Sequence, residues 1–276
     1  MLTLHQYYQQ VLEEIEKQQI IEIVIPGAGK MVSFDADTLT SMHEIIGIAL
    51  INPNPKTAGH GTLRLRIGDM EILPTDFNAD LISKFNHGEV DAKVEFGFKE
   101  YIFPVKTEAK GKPARITYTE PIDGGAGKIY LYLLGKNNNS TLGIPKYRFQ
   151  VLDFTIPKSS NNKDIEITIN EKTLQSHTKV AGAFLLGNSN RVKQVTLCID
   201  ETSVFPEGML GQLVTKEIVD AGSISNGIFT KHLIPFTYLL HPCDLKAKNS
   251  KIESKLIVTP HPDKDYKVFL YLLTTV

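Results

Sequence analysis

Pro26-Gly27-Ala28-Gly29-Lys30 is the stretch of this chain that comes nearest to a chemical motif. A phosphate loop needs a glycine five positions before its Gly-Lys pair and a hydroxyl residue after it, so that backbone amides wrap phosphate and the hydroxyl holds magnesium. Val24 and Met31 occupy those two places, so the segment reads as a turn. Gly124-Gly125-Ala126-Gly127-Lys128 fails the same test, with Ile129 after its lysine.

The other reactive residue types are equally scattered. His5, His43, His60, His87, His177, His232, His241 and His261 stand singly, none within four residues of another. A cupin-type metal site places His-x-His on one inward strand face with a glutamate nearby, so none is predicted. No Gly-x-Ser-x-Gly elbow occurs, and Cys198 sits in an alternating run that predicts a small buried hydrophobe. Asp69 and Glu71 could flank a glycosidic bond, but their counterparts in a second copy of the pattern, Glu201 and Ser203, predict an exposed hairpin rim. Asn138 and Asn139 head sequons inside a polar stretch and read as a solvated loop. These residues predict no enzyme, no cofactor and no metal site.

Composition narrows the class further. Thirty basic residues face 31 acidic ones with no basic tract, which argues against direct nucleic-acid binding. Two cysteines, Cys198 and Cys243, build no disulfide framework and predict synthesis in a reducing compartment. The first residues, MLTLHQYYQQVLEEIEKQQ, are too charged for a signal-peptide core, and no apolar run approaches a membrane span.

What would position any site is a repeated all-β unit. Ile21–Ile25 (IEIVI) returns as Ile165–Ile169 (IEITI), and Ile45–Leu50 (IIGIAL) as Val180–Leu185 (VAGAFL). Leu63–Phe77 returns as Val195–Met209, which sets Pro74 over Pro206. Tyr101–Val105 returns as His232–Phe236, Ile116–Glu120 as Leu256–Pro260, and KIYLYLL (Lys128–Leu134) as KVFLYLL (Lys267–Leu273), with Leu131 over Leu270. Period-two alternation and frequent turn signals give about eight strands per copy, which predicts two tandem eight-stranded jelly-roll sandwiches. With no tryptophan in the chain, an immunoglobulin-like sandwich fits less well.

The expected organisation is an amphipathic N-terminal helix in 1–19, a first jelly roll in 20–134, a linker with a bridging strand in 135–163, and a second jelly roll in 164–276. A short helix is expected after each matched proline, over 76–85 and about 208–221. In the N-terminal helix Leu4, Tyr8, Val11, Leu12 and Ile15 form an apolar stripe. That stripe either packs on its own domain or docks on a neighbouring subunit or surface, and Tyr8, Val11, Leu12 and Ile15 are the candidate assembly residues. Its acidic face disfavours adhesion to anionic lipid.

A duplicated jelly-roll unit with the repeated hairpin IGDMEILP and IDETSVFP, preceded by a helix, resembles the double jelly-roll major capsid proteins of icosahedral, membrane-containing bacteriophages, of the corticovirus and finnlakevirus type. The resemblance covers residues 3 to 276. It implies paired sandwiches, three chains forming a pseudo-hexameric homotrimer, and neighbouring capsomers, other capsid proteins and an internal viral membrane as partners. It also implies a protein made in the host cytoplasm and located in the virion, with no catalytic residue. The alternatives are a secreted two-jelly-roll carbohydrate-active enzyme, such as an amide-cleaving deglycosylase, and a minor vertex or receptor-binding virion protein.

Overall fold

The computed structural model describes residues 11, 13–52, 61–85, 102–139, 146–161, 163–174, 179–188, 190–217 and 240–276. The chain divides into two compact units between Tyr147 and Arg148.

The first unit contains β1 (Lys17–Ile25), β2 (Met31–Ala36), β3 (Glu44–Asn52), β4 (Thr62–Ile67), β5 (Met70–Leu73), β6 (Ser83–Phe85), β7 (Phe103–Glu108), β8 (Ala114–Thr119) and β9 (Gly127–Lys136). The second contains β10 (Tyr147–Ile156), β11 (Ile165–Thr173), β12 (Lys179–Gly187), β13 (Val192–Ile199), β14 (Thr202–Leu210), β15 (Thr215–Glu217), β16 (His241–Lys246), β17 (Lys251–Val258) and β18 (Tyr266–Thr275). Strands β1-β9-β3 form one sheet of the first unit, with β6 and β7 sharing the far edge of β3, and β2-β8-β4-β5 form the other. The second unit repeats this as β10-β18-β12 with β15 and β16, and β11-β17-β13-β14. This is the order of a jelly roll, built twice.

The registers match residue by residue. Leu50 pairs with Leu131 and Leu185 with Leu270, so the two closing strands are equivalent as expected. Leu65 pairs with Leu73, the ladder slips, and Arg66 and Ile67 pair with Glu71 and Met70; Leu197, Cys198 and Ile199 do the same with Phe205, Ser203 and Thr202. Pro74 and Pro206 follow the equivalent residues Leu73 and Phe205. A bulge breaks β3 between Ile45 and Gly47, and an equivalent one breaks β12 between Val180 and Gly182. Glycine is required beyond each bulge, because a Cβ on Gly47 would lie 2.7 Å from Ile102 Cγ2 and one on Gly182 only 2.5 Å from Leu240 Cγ.

Three expected alignments are corrected. IEITI opens β11, the counterpart of β2 rather than of β1, since β1 and β10 are the equivalent edge strands beside β9 and β18. The stretch expected to bridge the units is therefore the first strand of the second one. Ile116 pairs with Leu65 and Ser254 with Leu197, so LIVTP is slipped by two residues along the same face. Pro104 pairs with Gly47, and Pro242 pairs with Gly182, making His241–Lys246 the counterpart of Phe103–Glu108. The expected partner His232–Phe236 lies outside the described residues, as do residues 90–97.

The helices expected after the matched prolines are corrected as well. After Pro74 the chain makes a single 3-10 turn, Ala79–Ile82, capped by the Asn78 side chain, and then runs as β6 beside Leu50–Asn52. In the second unit 208–210 belong to β14, a 3-10 turn covers Gly211–Leu213, and Thr215–Glu217 pair with Leu185–Gly187; 218–221 lie outside the described residues. Strand β7 covers only Glu44–Ile48 of the β3 edge, so the upper half of that edge has open backbone groups. Pairing them is worth more than extending a helix too short to be stable alone. Each unit thus has nine described strands: eight in jelly-roll order and one of three residues.

The two sheets of each unit carry different sequences for a physical reason. In β4, β8 and β17 buried and less buried residues alternate strictly, as half-buried and exposed ones do in β2, and ion pairs Arg64–Glu71, Arg115–Asp35 and Lys255–Glu166 cover the outer face. Strands β3 and β12 are buried almost throughout, as both faces are apolar. In the second unit Leu270 and Leu272 enter the sandwich core, while Tyr271 on the opposite face stacks on Phe184 at 5.0 Å and meets Phe149 edge-on at 6.0 Å.

Leu131→Ala and Leu270→Ala, fully buried at equivalent positions, should each lower stability by about 2–5 kcal/mol in urea unfolding. A near-neutral result for either would mean that the closing strand is not core. The hydroxyls of Ser83 and Thr215, also equivalent, are buried without a hydrogen-bond partner. Ser83→Ala and Thr215→Val should therefore leave stability unchanged or raise it by up to about 1 kcal/mol.

Candidate functional site

The apolar stripe expected to serve assembly is partly used inside the first unit. Val11 is 1% exposed and packs with Ile46, Ala49, Ile102 and Leu134, with Ile15 and Tyr132 beside them. It covers the face of the β1-β9-β3 sheet that points away from the sandwich core. Tyr8 and Leu12 lie outside the described residues.

The expected helix end at residue 19 is corrected. Residues 13 and 14 are helical, 15 and 16 are not, and Lys17–Gln19 already pair with Leu133–Gly135. Backbone ties displace the helix: the Glu16 amide donates to the Gly135 carbonyl, and the Asn137 amide donates to Glu16 Oε2. Lys136 Nζ donates to Glu14 Oε2 at 2.7 Å with both side chains mostly covered. Part of the acidic face is thereby spent on the chain's own β9.

The first glycine-rich segment is a turn, the second runs into β9 at Gly127, and the two meet. Gly29, at φ +64°, donates its amide to the Pro121 carbonyl, and the Lys30 carbonyl accepts from the Glu120 amide. Here the structure places a polar network that sequence reading missed. Tyr118 Oη donates to Glu120 Oε2 at 2.7 Å, accepts from the Gly61 amide at 2.8 Å, and Glu120 Oε1 accepts from the Gly125 amide at 3.1 Å. Glu120 is 1% exposed. A Cβ on Gly61 would fall onto the Thr119 carbonyl, and one on Gly124 onto the Glu120 carboxylate, so both glycines permit the close approach. Burial, and then the Glu120 charge, push the Tyr118 phenol far above its ordinary range. A phenol held so firmly protonated and satisfied on all sides locks three loops together; it has no proton to give a substrate.

The remaining candidate groups are dispersed. Glu71 pairs with Arg64 at 2.8 Å and Asp69 lies on the exposed tip, as the hairpin reading expects. Cys198 is half-buried on the face of β13 opposite the core, between buried Leu197 and Ile199, so its expected burial is corrected. Burial pushes the Cys243 thiol up to about 11, with the Asp244 charge adding to it, and burial lowers the Arg148 guanidinium to about 10. His43, His241 and His261 lie in separate elements, and the other histidines fall outside the described residues. Among the described residues no group of three His, Cys, Asp or Glu could hold a metal ion. No helix among them is long and apolar enough to cross a membrane. The first unit also holds a charged cleft, lined by Lys106, Lys112 and Lys146 among others.

The chain is similar in structure to viral capsid proteins. Over 94% of its length and 98% of the other chain it is similar to the major capsid protein P2 from bacteriophage PM2, at 11% identity and a TM-score of 0.47. It is also similar to a chain of the PBCV-1 virus capsid, at 7% identity, with 93% of each chain covered and a TM-score of 0.40. A fainter likeness, 10% identity and TM-score 0.29 over 93% of this chain and 96% of the other, is to the glycosylasparaginase PNGase F from Flavobacterium meningosepticum. No sequence family and no curated protein matches the chain. The strand order and register, rather than these likenesses, establish the fold.

Val11→Ala should lower stability by about 1–3 kcal/mol, the worth of a buried valine, as read by thermal or urea unfolding. Glu120→Ala strips acceptors from the buried Tyr118 hydroxyl and the Gly125 amide, and should cost about 1–3 kcal/mol. With its thiol held protonated, Cys243 should resist alkylation at pH 8 in the folded chain and react on unfolding; rapid labelling of the native protein would contradict its burial.

Proposed function

We propose that this chain is a structural capsid protein that assembles as homotrimers, six sandwiches to a capsomer, in an icosahedral shell. The observation that carries the reading is the faithful duplication of one jelly roll within one chain, down to its bulges, prolines and tight turns, with no catalytic constellation on either copy among the described residues. Function in an enzyme lives in a site added to a fold, and duplication ordinarily leaves that site in at least one copy. Here the conserved devices, Gly47 with Gly182 and Pro74 with Pro206, all serve the ladders. Three copies of a two-sandwich chain closed by rotation supply a sixfold-like object, and closed symmetry is the usual outcome for soluble homo-oligomers. Near-neutral net charge poses little electrostatic resistance to close packing.

Partners on this reading are the chain itself, neighbouring capsomers, other capsid proteins and an internal membrane, and the working location is the virion. Tyr8, Val11, Leu12 and Ile15 remain the proposed contact segment, with Val11 anchoring it to its own unit.

Light scattering on the purified protein should give three times the 30.8 kDa chain mass, and raising the concentration or adding salt should produce particles. A chain that stays monomeric at high concentration and never forms particles would contradict the proposal.

A further inference from the structure

A cleft of about 410 Å³ opens in the first unit where the start of β3, strand β7 and the following turn meet. Three ammonium groups, Lys106, Lys112 and Lys146, line it together with the carboxylates Glu44 and Glu108 and the Asn139 amide. Glu44 is 5% exposed and lies directly opposite Glu108 across the ladder. Lys112 Nζ donates to Glu108 Oε2 at 2.9 Å. That bond and the Lys112 charge hold the Glu108 carboxyl below its ordinary value, and the charges of His43 and Lys146 add to the effect. The cleft therefore presents more positive charge than its carboxylates neutralise.

The second unit serves as an internal comparison. Its equivalent turn keeps every structural device: Ala109 and Ala247 are both fully buried, and Gly111 and Asn249 both take positive φ. The amides of Lys112 and Ser250 donate to the carbonyls of Ala109 and Ala247 at 2.9 Å, and the amides of Gly111 and Asn249 donate to the carbonyls of Leu39 and Leu174. The charges are not kept. Lys112 becomes Ser250, and Lys106 becomes Asp244, which closes a 2.9 Å ion pair with Lys179 at the place of Glu44. The same turn folds without the lysines, so folding does not explain why the first unit gathers them.

We propose that this cleft binds a phosphate group carried on a small organic body, with Lys106, Lys112 and Lys146 as its cationic contacts. Lysine serves phosphate as a mobile point charge with three donors, and the cleft falls in the size range of small-molecule sites. The Asn139 amide can donate to a phosphate oxygen, and the covered Glu44 carboxylate can accept from a hydroxyl of the carrier. Soluble phosphomonoesters and glycerophospholipid headgroups share this chemistry.

The test is calorimetric titration of the full chain with glycerol 3-phosphate at constant ionic strength, paired with sedimentation on phosphatidylglycerol vesicles. Saturable binding that weakens at least tenfold in Lys106→Gln/Lys112→Gln/Lys146→Gln, and persists in Lys248→Gln on the second unit's turn, is the expected result. Binding to vesicles alone, lost in the triple variant, assigns the phosphate to lipid. The single variant Lys146→Gln, outside any strand, should weaken binding severalfold with an unchanged melting temperature. Neither saturable heat nor sedimentation, or equal affinity in the triple variant, overturns the proposal. None of these outcomes depends on whether the chain forms trimers.

Discussion

Burial on both faces of the central strands of one sheet in each unit is the constraint from which the rest of this structure follows. Strands β3, β9, β12 and β18 carry apolar residues toward the sandwich core and away from it, so their sequences run nearly unbroken through IIGIAL, KIYLYLL, VAGAFL and KVFLYLL. A strand buried on both sides must pair all its backbone groups, because no water reaches them. The long ladders, the short parallel strands that complete the edges of β3 and β12, and the segment around Val11 all answer that requirement. The opposite sheets have one wet face, and there ion pairs and hydroxyls replace apolar packing.

The glycines at the bulges belong to the same constraint. A side chain at Gly47 or Gly182 would collide with an apolar group packed on the outer face, so the close cover of that face and the bulge beneath it are one device. Its recurrence in both units, with the slip in the β4–β5 and β13–β14 hairpins, shows that one folding solution was copied with its irregularities. Charge was not copied with it: Lys106 stands against Asp244, and Lys112 against Ser250.

Much of this was legible in the sequence, where pattern and position reinforce each other. The hairpin ending in Pro74 and Pro206 aligned correctly because it carries an irregular signature, and Gly47 with Gly182 for the same reason. IEIVI and IEITI misled because strict alternation is shared by any strand with one wet face, and β1 and β11 are both such strands. The spacing of Phe77, Leu81 and Ile82 reads as helical, yet three inward residues around a 3-10 turn give the same interval. The Tyr118–Glu120 lock and the lysine cleft join residues far apart in the chain, and the topology that gathers them is not written in any local pattern.

Amide hydrogen exchange of the intact chain, followed by mass spectrometry, tests the duplicated, doubly buried core most directly. The account predicts that 45–50, 131–134, 180–185 and 270–273 exchange slowest, in two matched pairs, and well behind β2 and β11 with their one wet face. Equal protection of β2 and β11, or protection confined to one of the two units, would contradict it.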